Sequence, residues 1–298
     1  MNIASVTVFC NEKFRLNNWV NYSKEYQNCI YKRIIVNNGQ KSDNKILQEF
    51  FPKAEIIFSY GKSLTKAYNI GIKLGLSDPK VDSILLIAND QTFTTNDLSG
   101  LHRILFNESF YVVAPVILQK DSKKIELVGQ TIRYKNLKLI PRFKNKSIND
   151  IPQNNYTIVD AVPGGFNLSK REFYEICGLL DEDLFMYSEE IDTAIRARKN
   201  GFKIAVVNNI FSWHQHKYHT KKKYRSPMAG FYLGRNEIML AKKHFNVYIV
   251  LNTFFSRLYS GLKRLSGDII KMRSIDHFKY SIYFIYGVFY SIIKRFND

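Results

Sequence analysis

The chain has 298 residues, 45% of them hydrophobic, and sets 44 lysines and arginines against 26 aspartates and glutamates, a formal charge of +18. That size and apolar content exclude a disordered or fibrous chain, and allow one large domain with an appendage or two modest domains. The charge points to an anionic partner such as a membrane surface, nucleic acid or a phosphorylated substrate, unless a lysine-rich composition alone accounts for it.

In chain order, the opening MNIASVTVFCNEK has no basic region ahead of a long apolar run, so it reads as a first strand and not a signal peptide. Cys10, Cys29 and Cys177 lack the spacing of a metal or redox site and suit a reducing compartment. From Ser5 to Val116, the runs SVTVFC, RIIVN, AEIIF, SILLIA and FYVVAPV are short, apolar and bounded by polar segments, which predicts strands. Between them LTKAYNIGIKLGL repeats Leu64, Ala67, Tyr68, Gly71 and Leu74 at helical spacing. The alternation predicts an α/β sheet with parallel strands, whose ligands bind at the carboxyl ends of strands. Cys10 to Lys13, Asn37 to Gln40 and Ala88 to Gln91 fall there. Residues Gln119 to Tyr156 are polar and lysine-rich and predict a hairpin and a loop. Later segments, VDAVPGGFNLSKREFYEICG, the helix in LFMYSEEIDTAIRARKNGF and the strand KIAVVN, rejoin the same sheet.

Composition changes near Phe245, which predicts a domain over 1–245 and a helical tail over 246–298. Val247, Leu251, Phe254, Leu258, Leu262, Leu265, Ile269 and Met272 share one helical face, with Arg257, Lys263, Arg264 and Lys271 elsewhere on the surface. The last segment is apolar from Tyr280 to Ile293, short of the roughly 20 residues that span a bilayer. Arg257, Lys263, Arg264, Lys271, Arg273, Lys279, Lys294 and Arg295 outnumber Asp268, Asp276 and Asp298, and with the aromatics they suit an anionic membrane surface. The competing reading is a helical pair that packs on the main domain or joins two subunits in a homo-oligomer.

Four groups of residues carry chemistry. Asp90, directly after the strand LLIA, can hold a divalent cation on a diphosphate, or simply close a turn. Glu189, Glu190 and Asp192 sit in a first helical turn behind Ser188, where the dipole favours acids; Asp192 can pair with Arg196, and Glu190 lies at the buried edge, where a carboxylate can act as a base. His214, beside His216 and His219, offers an imidazole that with one carboxylate and phosphate oxygens suits Mn²⁺ or Mg²⁺. Lys217, Lys221, Lys222, Lys223 and Arg225 form the densest basic patch, fit for a diphosphate, a membrane or solvent.

In this order the motifs resemble family 2 glycosyltransferases of the GT-A fold, in particular the bacterial rhamnosyltransferase-like group. The resemblance runs from Val6 to about Lys243, through VTVFCNE, IIVNNGQKSD, GKSLTKAYNIGIKLG, LLIAND, the block from VDAVPGGFNLSK to KNGFKI, FSWHQH and FYLGRNEIMLAKK. It implies a mixed, mainly parallel sheet flanked by helices. Its donor-binding residues would be Cys10, Asn11, Glu12, Asn37, Asn38, Asn69, Asn89, Asp90 and Arg235, with Asp90 and His214 on the metal. Glu190 would be the general base, and Gly164, Gly165, Glu189 and Asp192 would serve the acceptor, with Asp181 in support.

The sequence departs from the family at Ala88, in place of the first acid of the metal motif, at Asn37, in place of an aspartate, and at Glu190, one methylene longer than the usual base. The implied activity is an inverting transfer from a UDP- or dTDP-sugar to a lipid-linked oligosaccharide, at the cytoplasmic face of the membrane. An inactive scaffold of the same fold would also account for the departures. A nucleic-acid-binding protein would account for the charge, but no nucleic-acid module is present in the sequence, so no nucleic acid partner is expected.

Overall fold

The run IASVTVF has no charged residue and only Ser5 and Thr7 as small polar ones, and all seven residues of β1 (Ile3–Phe9) are buried, as in a strand covered on both sides. The computed structural model describes residues 1–61, 63–119, 124–214 and 226–293. Expectations about His216, His219, the basic patch from Lys217 to Arg225, and Lys294, Arg295 and Asp298 lie outside the described residues.

After β1 follow α1 (Leu16–Lys24), β2 (Ile30–Asn37), α2 (Asp43–Phe50), β3 (Glu55–Phe58), α3 (Leu64–Leu76), β4 (Ser83–Ile87), β5 (Gln91–Thr92), α4 (Thr95–Asn107) and β6 (Phe110–Gln119). The polar segment supplies β7 (Ile125–Leu127) and the hairpin β8 (Gln130–Arg133) and β9 (Lys138–Pro141). Then come β10 (Tyr156–Val159), β11 (Phe166–Lys170), α5 (Arg171–Cys177), α6 (Glu189–Lys199), β12 (Lys203–His214), α7 (Pro227–His244), α8 (Val247–Ile270) and α9 (Ile275–Ile293). The expected strands and α3 stand where their patterns placed them. The last strand is longer than KIAVVN and runs on to His214.

Contacts divide the chain into two units, differently from the expected boundary at 245. The first comprises Met1–Thr131, Pro141–Leu180 and the described part of Thr193–His216. Its sheet runs in the order β10, β12, β6, β11, β4, β1, β2, β3, with β5 on β12 and β7 on β6. The pairs β1–β2, β1–β4, β2–β3 and β6–β12 are parallel, whereas β11 runs antiparallel between β4 and β6. This is the expected mixed sheet. One core lies between the sheet and α4, around Leu85, Phe93, Leu101, Phe110 and Phe166. Another joins Phe9, Trp19, Leu47 and Phe51.

The second unit comprises Ile132–Ile140, Asp181–Asp192 and the described part of Lys217–Asp298. Helix α7 belongs to it and packs with α8 and α9 around Ile238, Tyr280, Phe284 and Val288. Helices α7 and α9 touch backbone to backbone. A Cβ on Gly234 would stand 2.1 Å from the Phe284 carbonyl oxygen, and one on Gly287 2.1 Å from that of Phe231.

Helix α8 is rotated from its pattern, so that only one edge of the apolar stripe faces inward. Its buried residues are Thr253, Gly261 and Asp268, and Arg257 faces inward to pair with Glu237 while Arg264 lies over the Tyr280 ring. Phe254 and Leu258 pack on the α7–α9 core, but Val247, Leu251, Leu262, Ile269 and Met272 are exposed. Arg257 and Arg264 are therefore not the surface charges that the sequence predicts. Glycine and threonine let the helices approach, and the pairing with Glu237 provides for the one arginine that this approach buries.

Candidate active site

Asn37 ends β2 fully buried, and its side chain builds the turn that follows. Its Nδ2 donates to the Gln40 carbonyl and to Asn44 Oδ1, each at 2.7 Å, and its Oδ1 accepts from the Gly39 N–H at 3.0 Å. The Asn38 N–H donates to the Phe9 carbonyl at 2.8 Å, which ties this turn to the end of β1. There Asn11 holds a positive φ of 55°, and its Oδ1 accepts from the Gln40 N–H at 3.1 Å. A Cβ at Gly39 would come within 2.3 Å of that oxygen, so glycine is needed for the approach. Cys10 stands exposed beside Asn38. The expected donor residues of β1 and β2 thus form one hydrogen-bonded turn pair at the carboxyl ends of the strands.

Next along the sheet, β4 ends at Ala88, Asn89 and Asp90. The Ala88 N–H donates to the Gly165 carbonyl at 2.8 Å, so the Gly164–Gly165 turn that opens β11 lies against this strand end. Asn89 donates to Glu12 Oε2 at 2.5 Å. Asp90, only 5% exposed, takes Arg15 Nη1 on its Oδ2 at 2.7 Å. Arg15 also stands 3.5 Å from Glu12.

His214 reaches this corner because the end of β12 pairs antiparallel with β5, placing it opposite Gln91. Ser212 donates to Gln91 Oε1 at 2.7 Å and fastens the same junction. The imidazole then lies between two carboxylates, with Nε2 3.5 Å from Asp90 Oδ2 and Nδ1 3.1 Å from Glu126 Oε2. Burial alone would lower its pKa. The hydrogen bonds and charges of Asp90 and Glu126 outweigh burial and push it up to about 9.

These residues fit a divalent cation in part. Among the described residues no three His, Cys, Asp or Glu side chains make a complete metal site. Asp90 and His214 nevertheless converge from two strands, and Glu126 grips the second ring nitrogen as carboxylates do behind metal-bound histidines. A bound diphosphate would have to supply the remaining oxygens.

The second unit builds the Glu189–Glu190 turn. Phe185, Tyr187 and Ser188 all hold φ near +65°, a costly conformation for such side chains. Ser188 starts α6 through its carbonyl, which accepts from Ile191 and Asp192, and not in the extended conformation of a side-chain cap. The strained segment is held by α7. Asn236 Nδ2 donates to the carbonyls of Leu184, Met186 and Tyr187 at 2.8–2.9 Å, and Arg235 Nη2 to those of Asp183 and Leu184 at 2.6 and 3.1 Å.

Both glutamate side chains are half-buried. Burial first, and the adjacent Glu190 second, push Glu189 up to about 8; burial likewise raises Glu190. Asp192 is fully buried and accepts from His244 at 2.7 Å and Lys243 at 3.3 Å, and Lys243 also reaches Asp181.

Three expected ligand contacts are engaged structurally. Asn69 is buried, its Nδ2 donating to the Leu180 carbonyl at 2.8 Å and its Oδ1 accepting the Leu180 N–H at 3.0 Å, so it clamps the chain before residue 181. Arg235, expected on the diphosphate, is spent on carbonyls and on the Tyr232 ring. Asp192, expected near the acceptor, is an internal ion-pair partner. Sequence reasoning named no role for Arg15, Glu126 or Asn236. Glu126 lies 88 residues from His214 in a segment read as a hairpin and a loop, and for Asn236 the available signal was the Arg-Asn pair in FYLGRNEIM.

No protein-family profile matches the chain. In sequence it is 24% identical over 148 residues to the low-salt glycan biosynthesis hexosyltransferase Agl10 of Haloferax volcanii, a match to 49% of this chain and 46% of that one. It is 23% identical over 251 residues to the dTDP-rhamnosyl transferase RfbF of Shigella flexneri, covering 82% and 81%. In structure it resembles GalNAc-T7 with UDP, GalNAc and Mn²⁺ (TM-score 0.65, 16% identity, 95% of this chain and 56% of that one). It also resembles the mannosyltransferase PcManGT from Pyrobaculum calidifontis in complex with GDP-Man and Mn²⁺ (TM-score 0.58, 10% identity, 98% and 87%). The chain therefore spans about half the length of the first relative in each comparison.

Proposed function

We propose that this chain, which has the GT-A fold, is a glycosyltransferase similar to family 2 and transfers a hexosyl or deoxyhexosyl group from a UDP- or dTDP-sugar to a hydroxyl of a lipid-linked saccharide during synthesis of a surface polysaccharide. The observation that carries the reading is the meeting of Asp90, Arg15 and His214 at the carboxyl ends of β4 and β12, beside the Asn37 turn. The two sequence relatives, a hexosyltransferase and a dTDP-rhamnosyl transferase, support the sugar class, and the nucleotide and Mn²⁺ in the two structural neighbours support the donor and the cation.

In this reading the first unit manages the leaving group. Asp90 and His214 are the residues that would hold a Mn²⁺ or Mg²⁺, which would supply positive charge beside the diphosphate. Glu126 fixes the ring of His214, and Arg15, paired with Asp90, is a side-chain cation able to turn toward phosphate oxygens. The Asn37 and Asn11 turns line the nucleotide side with neutral hydrogen-bonding groups. Glu190 is the base. Burial raises its pKa, which makes the carboxylate a stronger proton acceptor than an exposed glutamate. The acceptor oxygen forms its bond to the anomeric carbon as the bond from that carbon to the phosphate oxygen breaks, and the nucleoside diphosphate leaves with the electron pair. One displacement inverts the anomeric configuration.

A panel of UDP-, dTDP- and GDP-sugars, screened with Mn²⁺ for thermal stabilisation and slow donor hydrolysis, tests this. At least one donor should raise the melting temperature, and Glu190→Gln should abolish its turnover while leaving the stabilisation. Silence from every donor would refute the enzyme reading, and turnover that survives Glu190→Gln would refute the base.

A further inference from the structure

Helices α8 and α9 expose what soluble helices bury. Along α8 an outward stripe runs through Leu251, Phe255, Tyr259 and Leu262, while the buried side holds Thr253, Gly261 and Asp268. Where α8 passes to α9 the apolar surface is at its most prominent, with Ile270 79% and Met272 92% exposed and Ile269 and Ile275 beside them. Monomeric proteins rarely leave so continuous an apolar surface uncovered. Its exposed charge is positive, and Asp276 in the first turn of α9 is only half-exposed. Lys263, Lys271 and Lys279 stand exposed along or between these side chains, whereas Asp268 is buried and taken by Arg273 and Ser281.

We propose that the turn between α8 and α9, with the outward stripe of α8, docks on the surface of an anionic lipid bilayer. The apolar tip enters the headgroup layer, the tyrosines sit at the polar boundary, and the lysines meet lipid phosphates. No helix among the described residues is long and apolar enough to cross a membrane, so the contact is interfacial. A second copy of the chain fits this surface less well. Pairing the same stripe with itself would bring the lysines of two chains together, each with a formal charge of +18. Anionic headgroups neutralise those charges. The inference stands apart from the transfer reaction, so a failed donor screen and a failed lipid assay overturn different statements.

The full chain is mixed with vesicles of phosphatidylcholine alone or with about a third phosphatidylglycerol, and bound protein is measured by sedimentation. Binding should require the anionic lipid and weaken with salt. Ile270→Asp with Met272→Asp, both at exposed positions, should reduce it at least tenfold with the melting temperature unchanged. In a separate Met272→Trp variant, the tryptophan emission should shift to the blue on anionic vesicles. Equal binding by wild type and the double variant, or an unshifted Met272→Trp emission, would overturn the proposal. So would a concentration-dependent dimer that the double variant abolishes in a protein that ignores vesicles.

Discussion

Asn236 offers the most direct test of how the Glu190 turn is built. One side-chain amide donates to three carbonyls, those of Leu184, Met186 and Tyr187, at 2.8–2.9 Å, and Asn236 itself is fully buried. The segment it grips includes Phe185 at φ 65°, ψ −58°, and Tyr187 and Ser188 at φ 65° and 66°. Residues in such regions cost on the order of 1–3 kcal/mol each and persist only when their surroundings hold them. Asn236→Ala removes two N–H donors from enclosed carbonyls, each loss being about 1 kcal/mol net. The segment is then free to relax out of its strained conformation. A loss of about 2 kcal/mol, confined to this turn, opens residues 184–190 to amide exchange about 30-fold faster, since 1.4 kcal/mol is a factor of ten. Exchange mass spectrometry reads that directly. If Glu190 is the base, a displacement of about 1 Å also lowers kcat roughly 100-fold while donor binding stays as it was. Asn236→Asp should be no better, because a carboxylate cannot donate to carbonyls. Unchanged local exchange, together with a kcat within twofold of wild type, would refute the clamp.

Two further outcomes follow from the geometry. His214, held at about 9 by Asp90 and Glu126 against an ordinary value near 6.5, has a folded pKa above its unfolded one. The stability it contributes is complete below pH 6.5 and is lost as pH rises through 9, with a ceiling of about 3 kcal/mol at 1.36 kcal/mol per unit. In metal-free protein, the unfolding free energy of wild type minus that of His214→Gln, from urea melts, should therefore shrink by up to that amount between about pH 6 and pH 9.5; a constant difference would remove the two-carboxylate arrangement. Gly234→Ala drives a methyl group to 2.1 Å from the Phe284 carbonyl oxygen, which α7 and α9 can accept only by moving apart. It should cost about 1–3 kcal/mol in a thermal or urea melt, and a variant as stable as wild type would refute the close approach.

The sequence by itself determined much of what depends on neighbours a few residues away. Short apolar runs bounded by polar segments located β1, β2, β3, β4 and β6, and a period of 3.6 located the full span of α3, because burial of a strand or a helix face is written in adjacent residues. The ordered motifs picked out the strand-end turns at Asn11, Asn37 and Asp90 and the distant His214. Which polar group meets which, and which way an amphipathic helix turns, only the tertiary structure decided. Glu126 and Arg15 reach His214 and Asp90 across 88 and 75 residues, a relation that no local spacing encodes. Arg235 read as a diphosphate contact because its charge was visible and the carbonyls of Asp183 and Leu184 that it satisfies were not. In α8 the apolar stripe was legible, but its direction was not. Close helix packing selects small residues and a paired arginine for the inside, and it leaves Leu251, Leu262, Ile269 and Ile270 facing outward.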